Sequence, residues 1–168
     1  IMASLGFRTV EEMVGQSQHL NMNKAIAHWK SKGVDLSSIL YRPNMGTEVA
    51  THKIRNQDHG LEKVLDNKLI EQAMPALEKK QKVNITSSIR NTDRTTGTML
   101  GSEVSRRYGA VGLPEDTINI QFTGSAGQSF GAFVPKGMTL TLEGDTNDYT
   151  GKGLSGGKII VKKKKNAS

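Results

Sequence analysis

Apolar residues recur at helical spacing in the first part of the chain, whereas they alternate among glycines in the second part. From Ser4 to about Lys82 the sequence is polar with short helical stripes, and from Val83 onward β-branched residues and glycines take over. We therefore predict two regions: a helical, partly extended lead-in at residues 1–82 and a glycine-rich repeat region at residues 83–168.

The lead-in contains signals for three helices. Residues Thr9 to Glu12 (TVEE) form a capping box, which predicts a short helix that ends near Gly15. Residues 24–32 place apolar side chains on one helical face, so Trp29 is expected to anchor onto a neighbouring surface. Asp58 is expected to cap the third helix. Pro75 interrupts or restarts that helix, and its apolar stripe consists of Leu61, Val64, Leu65 and Leu69.

All four histidines lie in the lead-in, namely His19, His28, His52 and His59. Their spacing matches no pair of metal ligands on one helical face. We predict no metal site, and His59 is interpreted as an ordinary residue of the first turn of the third helix.

The second region repeats with a step of twenty residues. Apolar positions follow this step from Ile120 to Leu140 to Ile160, and the inward stripe of one repeat is predicted to be Ile118, Ile120 and Phe122. Such a period predicts a mainly β solenoid of stacked parallel strands, in which residues 83–114 form a longer first coil. Glycines mark its corners in two matching sets, Gly124, Gly131 and Gly137 followed by Gly144, Gly151 and Gly157.

The run GKGLSG places Gly151, Gly153 and Gly156 in the spacing G-x-G-x-x-G, which wraps a dinucleotide phosphate in other proteins. That function requires a helix after the last glycine, because the helix N-terminus holds the phosphate. Here Gly157 leads into KIIV at residues 158–161, which predicts a strand. We assign all these glycines a structural role and predict no catalytic, cofactor-binding or metal-binding residue in the chain.

Two shorter motifs are interpreted in the same way. Ser125 lies in a stretch similar to a hydrolase nucleophile elbow, but Thr123 replaces its first glycine, so Ser125 is interpreted as a turn residue. Asp145, Asn147 and Asp148 lack the glycine and the distal glutamate of a calcium loop. Local Asx hydrogen bonds are expected there instead.

Composition narrows the function further. Cysteine is absent from the 168 residues, which excludes disulfides, thiolate nucleophiles and cysteine-held clusters within the chain. Lys162 to Lys165 supply four of the seven net positive charges and leave +3 elsewhere, which indicates a solvated tail or an edge strand kept from pairing. No apolar run approaches the roughly 20 residues of a membrane span. Ile1 stands in place of an initiator methionine, so we expect a piece of a longer protein.

The sequence resembles a known family over nearly its whole length. The glycine-rich GXGXG region at the C-terminus of the large (alpha) subunit of glutamate synthase is similar to residues 124–161, GSAGQSFGAFVPKGMTLTLEGDTNDYTGKGLSGGKIIV. Upstream segments of that subunit resemble, in the same order, LGFRTVEEMVG, AIAHWKSKGVDLSSILYRP, QDHGLEKVLDNKLI, IRNTDRTTGTMLG and RRYGAVGLPEDTI. The chain departs from the family at Thr146 and Thr150, in the order of Gly101-Ser102, and in lacking further coils, so we expect a C-terminal truncation.

The resemblance implies a right-handed β-helix that acts as a structural and interface module without catalytic residues of its own. The parent enzyme would be an oxidoreductase that forms glutamate from glutamine and 2-oxoglutarate, with NADPH or ferredoxin as reductant. Its FMN and 3Fe–4S cluster are expected outside this segment. The implied partners are the glutaminase and FMN-barrel domains of the large subunit and a small NADPH-oxidising subunit, in the cytoplasm or a plastid and away from membranes.

Two other function classes stay open at this point. One is a free-standing β-helix scaffold in another redox complex, similar to the glycine-repeat subunit of formylmethanofuran dehydrogenase. The other is a basic nucleic-acid binder, which the nearly neutral body of the chain disfavours. Whether the chain counts as part of an enzyme therefore depends on its parent complex.

Overall fold

The chain forms two spatial units, Ile1–Asp58 and His59–Ser168. The computed structural model describes residues 1–21 and 27–163. The division predicted at residue 82 rests on composition and stays a prediction.

The first unit consists of short helical turns joined by irregular chain. Its described residues contain the helices α1 (Val10–Met13) and α2 (Ser37–Leu40) and 3₁₀ turns at Ala3–Leu5, Ser17–His19 and Trp29–Ser31. The N-cap predicted at Thr9 is confirmed, because the Thr9 hydroxyl accepts a hydrogen bond from the Glu12 backbone N–H at 3.2 Å. The Glu12 carboxylate accepts from the Arg8 N–H at 2.8 Å, so the reciprocal bond of the predicted capping box goes to Arg8 and not to Thr9. The helix predicted over residues 24–32 lies partly outside the described residues, and its described part is the 3₁₀ turn that begins at Trp29.

The second unit is built on one four-stranded parallel sheet with the strand order β1-β2-β3-β4. The strands are β1 (Val83–Ile89), β2 (Ile118–Ala126), β3 (Met138–Thr146) and β4 (Lys158–Lys162). Helices α3 (Leu65–Gln72) and α4 (Met74–Lys79) precede the sheet, and α5 (Thr98–Tyr108) connects β1 to β2. Short 3₁₀ turns cover Leu61–Lys63 and Gly109–Val111. None of the helices in the described ranges has the length and apolar character needed to span a bilayer.

The helices of this unit differ in part from the predicted ones. The third predicted helix begins at Leu65, directly after Val64, so the cap predicted at Asp58 is wrong. The restart at Pro75 is confirmed, because Pro75 lies in the first turn of α4, where its missing N–H removes no helical hydrogen bond. Helix α5 was not predicted, although it buries Leu100 and Val104, four residues apart, on one face.

One apolar core lies between the sheet and the helices. The predicted inward stripe of β2 is confirmed, since Ile118, Ile120 and Phe122 are at most 1% exposed. Their register partners in β3 are buried as well, and each fully buried side chain of this kind contributes roughly 1.5–3 kcal/mol. The helices add Leu69, Leu77, Leu100 and Val104 to the same core.

The predicted mainly β, right-handed β-helix is wrong for this chain. The second unit is an α/β structure with a single parallel sheet, and helices occupy more of the described residues than strands do. The physical reason lies in the connection from Ile89 to Ile118, where the amphipathic helix α5 packs beside α3 and α4 on the core. The repeat period in the sequence predicts which strands are neighbours, but it does not specify which elements pack on the faces of the sheet.

The repeat has a step of twenty residues only between β2 and β3. Ile120 pairs with Leu140, but Leu140 pairs with Ile159 in β4, so the predicted step from Leu140 to Ile160 is wrong by one residue. Ile159 packs partly buried against the core, whereas Ile160 is 47% exposed. The third repeat is therefore one residue shorter than the second.

The missing residue lies in the connection before β4. Phe133 and Gly153, twenty residues apart, have matching φ angles of +58° and +62°. Gly137, with φ +100°, matches Gly156, with φ +97°, and not the residue after it as predicted. Lys136 therefore has no counterpart in the third repeat, and the strands keep their inward and outward faces.

This register predicts that Ile159 and Ile160 differ in their contribution to stability. Ile159→Ala removes a side chain that packs on the core and should lower the free energy of unfolding by about 2 kcal/mol. Ile160→Ala removes a side chain that is about half exposed, so it should change the free energy of unfolding by less than about 0.5 kcal/mol. Urea unfolding followed by circular dichroism measures both values. Equal losses, or a larger loss for Ile160→Ala, would contradict the observed register.

Candidate functional site

The glycine run before β4 lies between two strands. The strand predicted after it is confirmed, since residues 158–162 form β4, and no helix begins between Gly151 and the last described residue. A phosphate bound to these glycines would therefore meet no helix N-terminus.

Most of these glycines lie close to atoms of the preceding repeat in the direction that a side chain would take. A Cβ added at Gly153 would lie 2.5 Å from the Phe133 ring, and one at Gly157 would lie 2.5 Å from Cγ1 of Val134. The other two glycines of the G-x-G-x-x-G spacing each have a side-chain atom at 3.3 Å in the Cβ direction. Packing in the Cβ direction therefore accounts for glycine at these positions.

In the connection between β2 and β3, two glycines also lie against neighbouring side chains. Gly131 lies against the side chains of Ile159 and Leu140, and Gly137 lies against Leu113. These contacts join the connection to the strands and loops of neighbouring repeats.

A further pair of glycines lies side by side in β2 and β3. Gly124 pairs with Gly144 in register, and their φ angles are +136° and +151°, a region that side chains rarely enter. A Cβ at Gly144 would overlap the carbonyl oxygen of Gly124, and a Cβ at Gly124 would overlap that of Ile89. The two glycines therefore permit a close approach of three neighbouring backbones.

Polar side chains join successive repeats just beyond these glycines. The Ser125 hydroxyl donates to the Asp145 carboxylate at 2.7 Å, and the Gln128 amide donates to the Asp148 carboxylate at 2.9 Å. The predicted turn position of Ser125 and the predicted local Asx bonds are wrong, because Ser125 lies in β2 and both carboxylates bind side chains twenty residues away. Within the described ranges, no group of three or more His, Asp or Glu side chains is arranged to hold a metal ion.

A second polar group links the beginnings of β2, β3 and β4. The Asp116 carboxylate accepts hydrogen bonds from the Thr139 hydroxyl at 2.7 Å and from Lys158 Nζ at 3.2 Å. The Thr139 hydroxyl, followed by Lys158, holds the pKa of Asp116 below its usual range, and the bond to Asp116 raises the pKa of Lys158. Both groups therefore stay charged near neutral pH, which suits alignment of the repeats and not proton transfer.

Asp66 is an acidic residue that is buried in the second unit, where only 3% of its surface is exposed. From α3 it reaches the start of α5, where one carboxylate oxygen accepts from Gly97 N–H at 2.7 Å. The other oxygen accepts from Met99 N–H at 2.8 Å and from Leu100 N–H at 3.2 Å. Burial raises the pKa of Asp66, and the three backbone bonds oppose this rise. Sequence reasoning missed this residue, because its partners lie more than thirty residues away in the chain.

The close contacts at the glycines and the polar links between repeats define the second unit as a tightly stacked parallel-sheet module. Its contacts run from each repeat to the next. A family model described as the GXGXG motif matches residues 66–168, and the chain belongs to this GXGXG motif family.

The resemblance to the large chain of glutamate synthase is also confirmed. The large chain of the NADPH glutamate synthase of Bacillus subtilis is 53% identical over 163 residues, which cover 96% of this chain and 10% of that protein. The NADH glutamate synthase of Schizosaccharomyces pombe is 51% identical over 166 residues, 96% of this chain and 8% of that protein. The chloroplastic ferredoxin-dependent glutamate synthase of Spinacia oleracea is 34% identical, again over 96% of this chain and 10% of that protein. The chain thus spans about a tenth of the length of these relatives.

Proposed function

We propose that this chain is a structural and interface module of a glutamate synthase-type large chain and that it carries no catalytic residue of its own. The observation that carries the proposal is the packing at Gly144, Gly153 and Gly157. Each of them faces atoms of the preceding repeat in the direction of a Cβ, so close packing of the repeats requires glycine there. The polar side chains of the stack bond to one another, which supports the same role.

In this proposal the parent enzyme forms glutamate from glutamine and 2-oxoglutarate. The relatives are named for NADPH, NADH or ferredoxin, and the proposal holds for each of these electron donors. The residues of this chain do not fit a 3Fe–4S cluster, because cysteine is absent, and an FMN phosphate would meet no helix N-terminus after the glycine run.

The proposal therefore places FMN and the cluster on other domains of the longer polypeptide. Its partners are the glutaminase and FMN-barrel domains, with a small NADPH-oxidising subunit in the NADPH-dependent forms. The proposed location is the cytoplasm, or a plastid for a ferredoxin-dependent form.

A chimera tests the proposal. This chain replaces the matching segment of the Bacillus subtilis large chain, and glutamate formation is measured with the enzyme's own electron-donating partner. Gly144→Ala should lower the melting temperature and the yield of folded chimera, because it disturbs packing. The kcat per bound FMN should stay within about twofold of the unchanged chimera.

Gly60→Ala is the matched control, because Gly60 also has a positive φ, in the ordinary left-handed region, but no atom within 4 Å in the Cβ direction. It should leave both yield and kcat near those of the unchanged chimera. A drop in kcat of more than about tenfold in Gly144→Ala enzyme that is folded and loaded with flavin would overturn the structural role.

A further inference from the structure

The first unit leaves its large apolar side chains in water. None of its described residues, 1–21 and 27–58, is buried. Six of these side chains, between 57% and 78% exposed, are Leu20, Trp29, Ile39, Tyr41, Met45 and Ile54. Apolar exposure on this scale is typical of a surface that another protein surface covers.

The same residues nevertheless follow a defined path. The Ser17 hydroxyl donates to the Leu40 carbonyl at 2.8 Å, and the Arg42 guanidinium donates to the Gln16 side-chain carbonyl at 3.0 Å. Stretches more than twenty residues apart therefore meet. Beside them lies an open cleft of about 970 Å³, whose apolar lining includes Ile39, Tyr41, Met45 and Val49.

This path lacks an internal source of stability. Fixing the backbone costs about 1–2 kcal/mol per residue, and the described helical turns of three or four residues are too short to persist alone. Burial of apolar side chains normally offsets this cost, but the described part of the first unit buries none of them. Its apolar side chains must therefore be buried against a surface that the unit itself does not supply.

We infer that residues 1–58 form an interface arm. Through Trp29, Ile39 and Tyr41, this arm packs onto an apolar surface of the glutamate synthase-type large chain outside the GXGXG module. The inference rests on the proposed function and adds the site of contact to it. The family model begins at residue 66, so the interface arm lies outside the module itself. The relatives match 96% of this chain, which includes most of the arm, and nine tenths of their length remains to supply the surface.

The chemistry of the interface arm specifies the surface that it fits. Its sequence holds seven basic and five acidic residues, so charge does not dominate the contact. The exposed Trp29 and Tyr41 are of the type that anchors protein interfaces, so the partner surface is an apolar groove with a polar rim. A bilayer fits poorly, because the described helical turns are too short to present a continuous apolar face.

Hydrogen exchange followed by mass spectrometry tests the inference in two proteins, the isolated 168-residue chain and the Bacillus subtilis chimera described above. Amides of the interface arm should exchange at least about tenfold more slowly in the chimera than in the isolated chain. The triple substitution Ile39→Ser, Tyr41→Ser and Ile54→Ser should restore fast exchange in the arm. Val111→Ser is the matched control, because Val111 is 79% exposed but lies in the second unit.

Fluorescence of Trp29, the single tryptophan of the chain, gives a second measurement. In the isolated chain its indole should be fully open to acrylamide at all protein concentrations. Protection that grows with concentration would mean that a second copy covers the arm, and protection at every concentration would mean that the second unit does. Either result overturns the inference.

The outcomes also separate the inference from the proposed function. A folded, active chimera whose arm exchanges as fast as in the isolated chain overturns the inference alone. The inference alone is also overturned if the full chimera fails to fold while a chimera carrying only residues 59–168 folds. If neither chimera folds, the proposed function fails, because the module then does not fit its parent enzyme.

Discussion

Gly144→Ala is expected to lower the free energy of unfolding of this chain by about 3 kcal/mol. Two effects add at this position. The φ angle of +151° strains any residue with a side chain, and the new methyl group would overlap the carbonyl oxygen of Gly124 in the neighbouring strand. Because that oxygen belongs to the backbone, no change of rotamer relieves the overlap. Urea unfolding followed by circular dichroism measures the loss.

Gly60→Ala separates the two effects. Its φ of +61° and ψ of +24° impose the cost of a left-handed backbone, about 1 kcal/mol, without any overlap. The difference of about 2 kcal/mol between the variants is then the contribution of the close approach between strands. Equal losses in the two variants would show that neighbouring strands separate easily at Gly144, against the packing described above.

Asp66→Asn is expected to lower the free energy of unfolding by about 2–3 kcal/mol at neutral pH. The substitution keeps the shape of the side chain but leaves one acceptor oxygen for three backbone N–H groups of α5. The amide NH₂ group would face donors, so at least one buried N–H loses its partner. Helix α5 would consequently be held less firmly against α3.

The pH dependence of this loss has a defined sign. Burial raises the pKa of Asp66 above its ordinary value of 3.8, so the folded chain holds this proton more tightly than the unfolded chain. The stabilising contribution of Asp66 is therefore greatest below pH 3.8 and decreases as the pH rises through the raised pKa. The pKa values of Glu103 and Asp116 are lowered and act in the opposite direction, but they cancel when the variant is compared with the unchanged chain.

Unfolding curves of the unchanged chain and Asp66→Asn between acid and neutral pH check both statements. The loss caused by the substitution should be largest in acid and should decrease towards neutral pH. Asp93→Asn is the control, because Asp93 is half-buried and its carboxylate accepts one backbone bond, from Arg90 at 2.8 Å; it should cost at most about 1 kcal/mol. A loss at Asp66 that grows with pH would contradict the burial effect.

Features encoded within a few residues could be predicted from the sequence. The N-cap at Thr9, the restart at Pro75 and the strand after Gly157 each depend on neighbours in the chain. The inward stripe of β2 was predictable as well, because alternation along a strand directly specifies its buried face.

Features that depend on distant residues were not predictable in the same way. The partners of Asp66 are backbone groups more than thirty residues away, and no local pattern specifies that contact. The bonds of Asp145 and Asp148 to the preceding repeat were missed for the same reason. The apolar face of helix α5 could be recognised in its sequence, but the regular spacing of the glycines led to a wrong solenoid prediction for the whole region.

The nineteen-residue step before β4 has a consequence for how such a protein can change length. The residue without a counterpart, Lys136, lies in a connection, so its absence from the third repeat leaves Leu140 beside Ile159 and turns no strand over. Insertion of one residue between Ser155 and Gly156 would restore the twenty-residue spacing at small structural cost. The same insertion inside β3 would exchange its buried and exposed rows. The connections of this sheet can thus change length by single residues, whereas each strand keeps its buried row only at a fixed length.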